Sequence, residues 1–236
     1  MGLPLPVPGP RMLLTDPHAR ARAGYVAPFV TFVLAMTIEK SLGIPAAIGY
    51  PIRFALTLAV ILLFSRDYIT LRPRAPLGSV LIGMAVLVIW IGPDQFFGYR
   101  HSWLFENSLT GRAESSLPAD LRANVPFLIL RCVTSFALVP VLEELFWRGW
   151  LMRWLIERDF RKVPLGTYQP MAFWLVAALF ASEHGPFWEV GLVAGAIYNW
   201  WLVRTRNLAD CILAHGVTNA LLCAWVVYTG HWEYWL

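Results

Sequence analysis

The chain has 236 residues, 58% of them hydrophobic and only 14% charged, with a mean hydropathy of +0.56. That is far more apolar than a soluble globular domain and predicts an all-α, polytopic transmembrane helical bundle whose first partner is the lipid bilayer. The net charge of +4 is modest and the arginines stand mostly at segment ends rather than in one block, a pattern that concerns membrane orientation and gives no support for nucleic-acid binding.

Taken in order, residues 1–23 carry five prolines, four of them before Arg11, together with Arg11, His18, Arg20 and Arg22, which predicts a cytoplasmic tail. No small-residue cleavage site follows a short apolar core, so a cleaved signal peptide is not expected. Apolar segments then run from about Tyr25 to Leu42, Ala46 to Phe64 and Leu77 to Ile91, the last flanked by an interfacial Trp90. Residues 93–124 are the long polar stretch, with a short surface helix expected to open at a Ser116 cap. The fourth and longest segment starts near Val125, and three more follow at about 171–184, 188–203 and 210–229. Lys and Arg concentrate in the N-terminus and the 65–76, 156–170 and 204–209 loops. These alternate as seven spans require if the N-terminus is cytoplasmic. No fixed-period repeat divides the chain, so 1–236 reads as one membrane domain. Cys132, Cys211 and Cys223 stand singly in apolar surroundings, with no CxxC spacing, and read as small buried hydrophobes.

Charge intrudes into these apolar segments at three places. Within Val139–Arg158 stand Glu143, Glu144 and Arg148. An ionisable residue near a bilayer centre costs roughly 2.5–3.5 kcal/mol even on the lenient insertion scale, so the three need partners, a polar cavity or a task. On a helix Glu144 and Arg148 share a face at i, i+4, while Glu143 points about 100° away. One carboxylate is thereby neutralised and its neighbour left for other work. Downstream, Phe180 and His184 are spaced i, i+4, as are His215 and Asn219.

Peptide-bond hydrolysis needs a water, a base and donors for an oxyanion. A carboxylate in an apolar cavity is a stronger base than one in water, which suits Glu143 to activating a water. His184 can hold the same water and shuttle its proton, and His215 and Asn219 can present N–H donors from one helix face. Glu183, next to His184, is expected to face elsewhere, as a rim group. Other readings stay open: an ion pair that only permits burial for Glu144 and Arg148, an interhelical hydrogen bond for Asn219, and a zinc site of Glu143, His184 and His215.

Glu-Glu-x-x-x-Arg, Phe-x-x-x-His and His-x-x-x-Asn, in that order over about residues 125–225, resemble the motifs of the CAAX-protease and bacteriocin-processing family of intramembrane enzymes. The resemblance implies a glutamate-dependent endopeptidase without a metal cofactor. It further implies that Glu143 and His184 activate water, that His215 and Asn219 form the oxyanion site, and that Glu144, Arg148 and Phe180 support them. Tyr-Val-Ala-Pro-Phe, Tyr-Pro-Ile-Arg and Val-Ile-Trp-Ile-Gly-Pro in the N-terminal half look like a bacterial subgroup linked to exosortase-type sorting. That likeness implies an inner-membrane protein acting on exported or membrane-anchored proteins, with lipidation of the substrate left open. A membrane binding or immunity protein, or a proton-relay transporter, would use the same residue types without hydrolysis.

Overall fold

A computed structural model describes residues 16–115 and 117–235. Seven helices account for most of them: α1 (Pro17–Ser41), α2 (Ala46–Ser65), α3 (Pro76–Phe97), α4 (Val125–Trp154), α5 (Pro170–Ser182), α6 (Trp188–Thr205) and α7 (Leu208–Thr229). No strand occurs among the described residues. The chain is thus an all-α helical bundle, and α1, α2, α3, α4 and α7 are each long and apolar enough to cross a membrane. Their outer faces leave Leu62, Leu63, Leu81, Val88 and Ile129 exposed, as a lipid-facing surface requires.

Two expected boundaries move. Residues 17–23, assigned to the tail, are helical: the Asp16 carboxylate accepts the His18 N–H at 2.9 Å, Pro17 fits the first turn, and Arg20 pairs with Asp67 at 3.0 Å. The rest of the tail to residue 15 lies outside the described residues. Helix α3 continues through Pro93 to Phe97, where Gly98 closes it in the left-handed conformation (φ 59°). Trp90, read as interfacial, is therefore two turns inside the helix and faces the bundle. The short helix expected near residue 116 is a single tight turn, Ala119–Ala123, opening after Pro118; Ser116 itself lies outside the described residues. In the polar stretch before it, the Ala113 N–H donates to Glu106 at 2.9 Å and holds that carboxyl below the usual carboxylate range.

Helix α7 packs along α3 and against the middle of α4, while α5 and α6 pair with each other. A Cβ on Gly83 would come within 2.5 Å of the Ala214 carbonyl, so α3 and α7 meet backbone to backbone.

Helix α4 is not a regular α-helix. Around Thr134–Leu138 it widens, and the Val139 N–H bonds the Thr134 carbonyl five residues back. In that pattern the Ser135 carbonyl would take the N–H of residue 140, which is a proline and has none. The Asn219 side chain supplies the missing donor, Nδ2 to Ser135 O at 2.8 Å. One turn away, a Cβ on Gly216 would lie 2.9 Å from the Phe136 carbonyl. Gly216→Ala must therefore push α7 off α4, with an expected loss of about 1–3 kcal/mol. The measurement is a thermal midpoint in detergent, and a midpoint equal to that of the wild type would show that the helices have slack there.

Candidate functional site

The carboxylate pair sits on α4 between its two widened stretches, Thr134–Leu138 and Leu145–Leu151. Glu144 is fully buried, and its Oε1 receives Arg148 Nη1 at 3.3 Å and His215 Nδ1 at 3.0 Å. The i, i+4 pair expected from the sequence is thus formed. Arg148, also fully buried, spreads its guanidinium over three helices. Its Nε donates to Asn199 Oδ1 at 2.9 Å and its Nη2 to the Gly195 carbonyl at 3.2 Å, while Asn199 Nδ2 donates to the Phe173 carbonyl at 2.7 Å. The Phe180 ring lies 4.5 Å from the guanidinium carbon and Tyr198 5.5 Å, so π faces cover what the hydrogen bonds do not.

In front of this buried scaffold opens a cavity of about 240 Å³. It is lined by Glu143, Phe180, His184, His215 and Asn219, so five of the seven residues singled out from the sequence share one space, while Glu144 and Arg148 lie behind its wall. Glu143 points into it without an ion pair to Arg148. Its Oε2 is buried with no hydrogen-bond partner among the described residues and stands 4.0 Å from His215 Nε2.

The two histidines are oriented differently. His184 Nδ1 lies 2.8 Å from the Phe180 carbonyl, which can only accept; Nδ1 therefore carries the proton and the neutral ring keeps an acceptor at Nε2. Its ring packs edge-on against Trp90 (5.2 Å) and tilted against Phe180 (4.7 Å). His215 Nδ1 donates to the Glu144 carboxylate, so its Nε2 is an acceptor in the neutral ring and a donor in the cationic one. Tyr198 stacks on it at 5.1 Å and 22°, with its own hydroxyl 2.8 Å from Thr218 Oγ1. Asn219 spends one amide N–H on Ser135, the interhelical bond weighed above, and retains a second.

The site draws on more of the fold than α4, α5 with the turn after it, and the last helix, which carry the seven motif residues. Helix α3 contributes Val86 and Trp90, and α6 contributes Ala194 and Tyr198. Asn199 and Tyr198 were not read from the sequence, although a lone asparagine in the apolar α6 was a signal of a buried partner. Glu183, expected to face elsewhere, is exposed but lines the same cavity: α5 ends at Ser182, and the helical spacing that separates it from His184 stops there. At 13 residues α5 spans about 20 Å, against about 30 Å for a hydrocarbon core, which leaves this end inside the bundle. Among the described residues no three His, Cys, Asp or Glu side chains are grouped as metal ligands. Glu143, His184 and His215 share the cavity but would have to rearrange to close around zinc.

Fold and site together define a class: an all-helical membrane protein with a cavity of carboxylate, imidazole and amide groups among its helices. Residues 125–221 match the family model of the Rce1-like type II CAAX prenyl endopeptidases. The match runs from the start of α4 into α7, as far as residue 221, and includes all seven motif residues; it supports an intramembrane endopeptidase acting on a protein or peptide. No curated protein and no solved structure matches the chain.

Proposed function

We propose that the chain hydrolyses a peptide bond of a membrane-associated protein by a glutamate-activated water. Glu143 removes a proton from the water, and His184, through the free Nε2 of its ring, holds that water. The oxygen of the water bonds to the scissile carbonyl carbon, and the negative oxygen that forms receives the His215 Nε2–H of a cationic ring and the second amide N–H of Asn219. When the C–N bond breaks, the proton held by Glu143 passes to the leaving nitrogen. Glu144, by accepting the Nδ1–H, orients His215 and stabilises its cation. Arg148 pairs with Glu144 in an apolar setting, and Phe180 packs between Arg148 and His184.

One observation carries this reading: Glu143 Oε2, buried with no hydrogen-bond partner among the described residues, stands 4.0 Å from His215 Nε2 in a cavity that His184 also lines. No step requires a metal. The substrate belongs among exported or membrane-anchored proteins of a bacterial inner membrane, as the subgroup likeness implies, and the basic loops support a cytoplasmic N-terminus. The test compares, by mass spectrometry, protein termini in membranes of cells expressing the wild-type chain or Glu143→Gln at matched levels. Termini found only with the wild type are expected; identical sets would favour a binding or immunity protein.

A further inference from the structure

His184 sits on the turn between α5 and α6, where its carbonyl accepts the Phe187 N–H at 2.9 Å and Gly185 takes a positive φ of 50°. The inner side of the ring is fixed by Phe180 and Trp90. The backbone that carries it is held from a part of the chain that precedes the family match. Arg100, only 1% exposed, reaches over from the segment after α3. Its Nη1 donates to the Pro186 carbonyl at 2.7 Å, its guanidinium carbon lies 4.1 Å from the Phe187 ring centroid, and it forms ion pairs with Glu189 at 2.8 Å and Asp94 at 3.2 Å. One planar cation therefore ties the end of α3, the turn and the start of α6. Phe187 in turn lies parallel to Trp90 at 6.1 Å, and Trp90 packs against the His184 ring. Movement of the turn would pass to the imidazole by two routes, through its own backbone and through this aromatic pair.

We infer that Arg100 is a positioning residue for His184, holding the imidazole in the single tautomer and orientation that hydrolysis uses. The inference rests on the proposed role of His184. A lysine keeps the charge for Asp94 or Glu189, but its compact ammonium cannot bond the Pro186 carbonyl, meet both carboxylates and cover the Phe187 face together. Tyr99→Phe is the control: it removes a 3.0 Å hydroxyl bond to Glu189 from the same cluster and leaves the Pro186 contact alone.

The experiment uses the full chain in detergent with two readouts. One is ¹⁵N NMR of labelled histidines, which reports the His184 tautomer without any substrate. The other is the rate at which new termini form when the protein is incubated with membranes from cells lacking it. Arg100→Lys is expected to mix the His184 tautomers and to slow terminus formation about tenfold or more per folded molecule, with Tyr99→Phe unchanged in both. Should Arg100→Lys not fold, Phe187→Leu removes the ring face on which the guanidinium lies and is read in the same way. An unchanged tautomer overturns the inference, whatever the rate. Mixed tautomers with no new termini from any variant or from the wild type would leave Arg100 as the clamp of His184 and overturn the hydrolytic reading instead.

Discussion

Glu143→Gln is expected to lower the rate of terminus formation by about 10²–10⁴-fold, the range set by loss of a positioned general base. The replacement is nearly isosteric, and Glu143 forms no ion pair with Arg148, so the fold should be retained and the thermal midpoint should stay close to that of the wild type. Stability and activity are therefore expected to separate at this position. Cleavage at the wild-type rate would remove Glu143 from the chemistry, and a folded yield that fell in parallel with the rate would make it a packing residue.

Arg148→Met is expected to produce the largest loss of stability in the chain. It strips the guanidinium from Glu144 and leaves a carboxylate with no exposure to water facing a thioether, while Asn199 Oδ1 and the Gly195 carbonyl lose their donors. Removing one partner of a buried pair costs about 3–5 kcal/mol, most of it from the charge left behind. Adding Glu144→Gln should therefore restore part of the loss, because the buried charge that Arg148 balanced is then gone and only the hydrogen bond with His215 has to be kept. Thermal unfolding of the single and double variants measures this. A double variant no more stable than Arg148→Met alone would mean that the bonds to Asn199 and Gly195, rather than charge neutralisation, are what Arg148 contributes.

The number and order of the helices were legible because apolar stretches bounded by basic loops or a Gly-Pro turn have few alternatives to a helix in a membrane. The i, i+4 rule also paired Glu144 with Arg148 and placed Phe180 beneath His184, since both relations are local. Features that depend on a distant partner were not legible. The widened turn of α4 at Thr134–Leu138 precedes Pro140, which has no N–H for the Ser135 carbonyl, and Asn219, 84 residues away in sequence, supplies that donor. Trp90 was read as interfacial because α3 was ended at Ile91; Pro93 does not break the helix when neighbouring helices surround it. Arg100 looked like one more charge of a polar loop, and only the folded chain brings Asp94, Pro186 and Glu189 around it.

The most direct test of the central claim is a time course with purified protein, so that no host protease can stand in for it. Wild-type chain and Glu143→Gln, both folded by thermal midpoint, are incubated with membranes from cells lacking the chain, and new protein termini are counted by mass spectrometry. The account predicts a defined set of termini that grows with time and enzyme concentration for the wild type and is absent for Glu143→Gln. Equal sets from the two proteins would contradict it.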